Sequence, residues 1–187
     1  MGGSPDPAPR FAAALDSIRT AVFRSDAAIT EIPAPTRVAP YALAVEAHIG
    51  GSHGEDASGS FVLLHDPDPP LVWDGDLRVV TLSKSNVEEE MGADPLLAEV
   101  AWTWLAEVLD AIGPLPAALS GTVTRTLSES FGSLRSRGAG VGIEVRASWT
   151  PPTADAGMHL AAWLDFLARL GGVEPLPSGV ARLHAHS

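Results

Sequence analysis

Three stretches of the chain alternate side chains with a period of two and two apolar runs lie between them, and that pattern decides most of what the sequence can fold into. Over 41–49, Tyr41, Leu43, Val45, Ala47 and Ile49 share one face, with Ala42, Ala44, Glu46 and His48 on the other. This is the pattern of a strand with one buried side. Residues 60–65, with Phe61 to Leu64 apolar, read as a second strand. Residues 77–83 read as a third, after the tight-turn signal Asp74-Gly75. Over 120–128, Val123, Arg125 and Leu127 oppose Thr122, Thr124 and Thr126. Over 141–149, Ile143, Val145, Ala147 and Trp149 oppose Glu144, Arg146 and Ser148.

Three stretches carry the helical period instead. Phe11, Leu15, Ile18 and Val22 form one stripe behind Pro7 and Pro9, with Asp6 as the expected cap and an end near Arg24. Asp94-Pro95 opens a helix running to Ile112, with Leu97, Val100, Ala101, Trp104, Leu105, Val108 and Ile112 inward and Gly113-Pro114 as its stop. Trp102 and Leu109 stand on its shoulder, so the apolar arc is wider than one sheet requires. Thr153 is the expected cap of a last helix with Leu160, Trp163, Leu164, Leu167 and Leu170 inward. Three prolines between Glu31 and Pro40 exclude helix and central strand there, and predict an extended surface arm.

The expected architecture is therefore α+β, in the order α-β-β-β-α-β-β-α. It is a five-stranded, largely antiparallel sheet with helices on one face, a two-layer sandwich. Residues 1–6 are expected to be disordered, 7–172 to form a single domain, and 173–187 to be a loose Pro-rich tail.

Charge and composition restrict function. Among 187 residues, 12 Lys and Arg stand against 23 Asp and Glu, a net charge of −11. General nucleic-acid binding, which needs excess positive charge to release counterions, is disfavoured. The chain has no cysteine, so no thiolate nucleophile, disulfide or Cys-ligated metal contributes. Neither a signal peptide nor an apolar stretch of membrane-spanning length occurs, and a soluble, cytoplasmic protein is expected. The charge is lopsided: 60–110 holds eleven acids against Arg78 and Lys84, whereas 120–149 holds Arg125, Arg135, Arg137 and Arg146 against Glu129 and Glu144.

Few motifs carry chemistry. His65, Asp66, Asp68, Asp74 and Asp76 place one imidazole and four carboxylates in twelve residues, a candidate metal or acid–base cluster. The spacing fits no calcium loop, and Asp66, Asp68 and Asp74 also suit turns, whose backbone amides they cap. The glycines of 138–142 precede a strand rather than open a helix, which removes a dinucleotide fingerprint. The four arginines of 120–149 could bind an anion or pair across strands with Glu129 and Glu144.

With Glu31-Ile-Pro-Ala-Pro, Val62-Leu-Leu-His-Asp-Pro, Trp73-Asp-Gly-Asp, Ala93-Asp-Pro-Leu-Leu, Gly121-Thr-Val-Thr-Arg and Arg146-Ala-Ser-Trp-Thr-Pro in place, the chain resembles an actinobacterial family catalogued as domain of unknown function number three thousand. The resemblance runs from about Phe11 to Leu170. It implies no activity, cofactor or catalytic residue; its members are often encoded near a ribonuclease D-like gene. The element order is also similar to that of the acidic type III secretion chaperones and their sensory-domain relatives, a likeness of topology alone.

The resulting expectation is a non-enzymatic protein-binding, chaperone-like or regulatory module, without cofactor, that binds a protein partner. Trp102, Leu109, Arg125, Arg135, Arg137 and Arg146 are its candidate binding residues, and the 94–112 helix is the candidate homodimer contact. The alternatives are a metal-assisted hydrolase using His65, Asp66, Asp68, Asp74 and Asp76, and an RNA-processing accessory using the arginines.

Overall fold

The computed structural model describes residues 8–50, 56–87, 89–133 and 139–173. In chain order these form α1 (Pro9–Thr20), β1 (Ala27–Ile32), β2 (Tyr41–Gly50), β3 (Asp56–His65), β4 (Leu77–Val87), α2 (Glu89–Gly92), α3 (Leu97–Asp110), β5 (Ala117–Glu129), β6 (Ala139–Thr150) and α4 (Ala156–Leu170). Six strands make one sheet in the order β1-β2-β3-β4-β6-β5, and every neighbouring pair is antiparallel.

The α+β class and the antiparallel sheet are as expected; the strand count is not. The sixth strand, β1, lies just ahead of the proline arm and pairs with β2 from Ala27↔Ile49 to Ile32↔Ala44. Pro33 ends it, so the prolines bound an edge strand rather than abolish one. Sheet neighbours also lie beyond the expected ends. β3 begins at Asp56 rather than at residue 60, and β4 continues to Val87 rather than ending at 83. Glu89 and Glu90, both exposed, open the short α2. The expectations for 1–6 and for the tail from 174 fall outside the described residues, as does Asp6 as a cap.

Alternation does place the core. Val45, Ala47, Ile49, Phe61, Leu63, Leu77, Val79, Ile143, Val145, Ala147 and Trp149 turn to one sheet face and are buried there with Leu97, Leu105, Leu160, Leu164 and Leu167 of the helices. α1 contributes Phe11 and Ala14. It ends at Thr20, and Val22, expected on the inward stripe, is 91% exposed.

Close approach of helix to sheet is set by two strand glycines. A Cβ on Gly59 would meet the Leu82 carbonyl oxygen and, at 2.9 Å, Cζ2 of Trp163. One on Gly121 would meet the Arg146 carbonyl oxygen and, at 2.7 Å, Cζ3 of Trp102. Each glycine thus receives an indole from the helix layer. Trp163 fixes its own position further by donating from Nε1 to Ser83 Oγ at 2.9 Å.

α1 and α4 cross at small residues: Gly157 has no room for a Cβ against the Ser17 carbonyl, and its N–H donates to Ser17 Oγ. Asp155, not Thr153, caps α4, accepting from the Met158 N–H at 3.2 Å. The Arg24 side chain is almost fully buried. It bonds Asp26 twice and Asp165 of α4 once, tying the segment after α1 to the last helix. Those two carboxylates, led by the Asp26 hydrogen bond, raise the Arg24 pKa against the cost of its burial. Among the described residues no helix is long and apolar enough to cross a membrane.

Candidate functional site

All the long helices lie on one side of the sheet, and the opposite side carries the candidate site. Register fixes its composition. Ala44, Val62, Val80, Ser148 and Ser120 stand side by side across β2, β3, β4, β6 and β5, and the next row is Glu46, Ser60, Leu82, Arg146 and Thr122. A third row is His48, Ser58, Lys84, Glu144 and Thr124. Hydroxyls and short apolar side chains leave a depression of about 490 Å³ lined by Ser60, Val62, Val80, Leu82, Thr122 and Ser148 among others. A second hollow of about 240 Å³ lies further along the same strands, by Ser58, Lys84, Asn86, Thr126 and Glu144. Val80 is 39% exposed on the floor.

Charge on this face is partly neutralised. Arg146 Nε donates to Glu144 Oε1 at 2.7 Å, and Lys84 Nζ lies 3.4 Å from Glu144 Oε2. The Arg146 hydrogen bond, ahead of the lysine contact, holds the Glu144 pKa below its ordinary value. At the rim, buried Arg78 donates to the Ala118 carbonyl at 3.1 Å, to Thr150 Oγ1 at 3.2 Å and to Ser148 Oγ at 2.6 Å. No carboxylate pairs with it among the described residues, and desolvation lowers its pKa. Its carbonyl partner sits in a β-bulge: Ala118 has φ 49°, and Ala118 with Leu119 spans the position opposite Trp149. The guanidinium thus anchors a strained turn of β5. It also occupies an acceptor site on Ser148, whose own proton is left for the depression or for Ser120 Oγ, 3.5 Å away.

The expected binding residues do not converge here. Leu109 is fully buried, and Trp102 is half-buried against Gly121. The broad apolar arc of α3 is used because that helix is wedged between α4 and the edge strand β5. Val100, expected inward, faces out at 36% exposure. With Leu96 and Trp104 it lines a shallow groove instead. The arginines are split by parity: Arg125 lies on the helix side, donating to the Gly92 and Asp94 carbonyls at 3.2 and 2.7 Å, whereas Arg146 lies on the open side. Arg135 and Arg137 fall outside the described residues.

The acidic cluster resolves into separate structural tasks. His65 is buried beside Phe11 and Tyr41, and its Nδ1–H donates to the Asp76 carbonyl at 2.9 Å. Asp66 Oδ1 accepts from the Asp68 N–H. Asp74 takes the left-handed conformation, φ 56°, after a short turn at Leu71–Trp73. The Asp76 carboxylate pairs with Arg10 at 2.6 Å. No group of three or more His, Asp or Glu among the described residues is placed to hold a metal ion.

Val80, Leu82, Arg78 and Ser148 were not singled out by sequence reasoning. The available signal was parity: β4 is apolar on both of its faces in its middle, which a one-sided sheet does not need.

The fold and its uncovered, hydroxyl-lined sheet face define a one-sided antiparallel α+β sandwich. The chain matches, over residues 7–181, the family described as Protein of unknown function (DUF3000), and it belongs to that family. No curated protein and no solved structure matches it.

Proposed function

We propose that the chain is a non-enzymatic, cytoplasmic protein-binding module that receives a segment of its partner on the open face of the sheet. The observation that carries this reading is the depression along β3, β4, β6 and β5, whose floor exposes Val62, Val80 and Leu82 between rows of serine and threonine hydroxyls. Such a surface offers apolar contact to alternate side chains of an extended segment, and hydroxyl partners to its polar groups. Paired Glu144, Lys84 and Arg146 give its far end local charge contrast without a net field.

A photo-crosslinking residue placed at Val80 tests the proposal against one placed at Glu99, on the outer side of α3. The expected result in cells is a discrete adduct from position 80 and none from 99. Adducts from 99 alone would move the binding surface to the α3 groove and sink the open-face reading.

A further inference from the structure

The two edges of the sheet are finished differently. β1, at one edge, is six residues long and runs directly into Pro33 and Pro35, two devices that discourage another strand from pairing there. β5, at the other edge, is thirteen residues long and contains neither proline nor lysine. From Ser120 to Glu129 it pairs with β6 without interruption, a ladder of about 33 Å at strand rise. Among the described residues, no backbone group of 119–129 has a backbone partner other than β6. Among the described residues, about half of the β5 amides and carbonyls therefore face outward without a backbone partner. The one charge before Glu129, Arg125, is drawn under the sheet to the Gly92 and Asp94 carbonyls. It does not guard the edge.

We infer that β5 pairs antiparallel with β5 of a second copy of this chain, about a two-fold axis at Val123. The strand sequence selects both occupant and register. Centred on Val123, Leu119 stands opposite the second copy's Leu127, Thr122 opposite Thr124, Ser120 opposite Thr126 and Val123 opposite itself. Apolar meets apolar, hydroxyl meets hydroxyl, and Arg125 meets Gly121, with no like charges opposed. A register centred one residue later places Leu119 against Glu129 and Val123 against Arg125. It keeps hydroxyl opposite hydroxyl, Ser120 to Ser128 and Thr122 to Thr126, but loses the apolar match on the other face. Leu127, 67% exposed in one chain, gains a neighbour in the first register alone.

An antiparallel pair within one sheet is related by an axis normal to that sheet. Both open faces then lie on the same side of a twelve-stranded sheet. Ser120 and Thr122, which border the depression, become its seam with the neighbouring copy.

The test is sedimentation equilibrium of the full chain and two double variants. Wild type is expected to be a dimer. Thr122→Lys with Thr124→Lys sets lysines opposite each other, and is expected to weaken association at least 100-fold with an unchanged circular dichroism spectrum. Thr122→Glu with Thr124→Glu should do the same, and a mixture of the two variants should form a mixed dimer. A monomeric wild type at 100 μM, a lysine variant that stays dimeric, or failure of the two variants to combine would each overturn the proposal.

Discussion

One of the two buried imidazoles among the described residues makes the stability of this molecule depend on pH. His159 is 3% exposed, and its Nδ1 accepts from Trp149 Nε1 at 3.1 Å. Only the neutral ring can accept there, and burial lowers its pKa from 6.5 to about 4, against a smaller opposing effect of Asp155. The unfolded chain takes up this proton near pH 6.5 and the folded chain only near 4, so the unfolded state binds more protons between those values. The contribution is full above about pH 6.5 and is lost as pH falls towards 4, about 3 kcal/mol in all. Urea unfolding at pH 7, 5.5 and 4.5 should show that decline. His159→Gln, which keeps an acceptor for Trp149 but does not titrate, should flatten it; an unchanged slope would assign the decline to other groups. Nothing in the sequence distinguishes His159 from the other histidines. Its partner Trp149 lies ten residues away on β6, and only the packing of α4 over that strand brings the rings together.

The helices and strands fit through shape, and their contact is concentrated at two glycines. Gly59 and Gly121 lie under Trp163 and Trp102, so a methyl group at either position has to displace an indole or a neighbouring strand. Gly59→Ala and Gly121→Ala are each expected to cost about 1–3 kcal/mol, with the larger loss at Gly59 because Trp163 is wholly buried whereas Trp102 is half-buried. Thermal unfolding measures both, and equal tolerance of the two would refute the graded fit. Much of this level is legible from the sequence. The inward faces of β2 and β6 follow from period two, and α4 follows from its period of 3.6. β1 is hidden because six residues with a glutamate among them pair on one side only, and prolines follow at once. Trp102 reads as surplus surface because helical periodicity describes one flat partner, while α3 touches β5 on one flank and α4 on the other. The candidate face was obscured for a related reason. Strand parity assigns side chains to two faces, but only the placement of the helices decides which face stays open.

At the scale of the whole molecule, the strand order separates an early half from a late one. β1 to β4 form a continuous meander, each strand pairing with the next. β4 then waits for β6, whose Trp149 pairs with Val79 seventy positions earlier in the chain, across α2, α3 and β5. Contacts of such sequence separation form late, because the loop must close before they are gained. Refolding is accordingly expected to protect the amides that join β2, β3 and β4 before those that join β4 to β6, as pulsed hydrogen exchange would measure; simultaneous protection would contradict a staged assembly. Synthesis gives the same order a time scale. At 5–20 residues per second, the 52 residues from the end of β4 to the start of β6 take roughly 3–10 s to emerge. For that interval the nascent meander presents the future centre of its sheet as a bare edge, and this is the stage at which the growing chain most needs shielding from its neighbours.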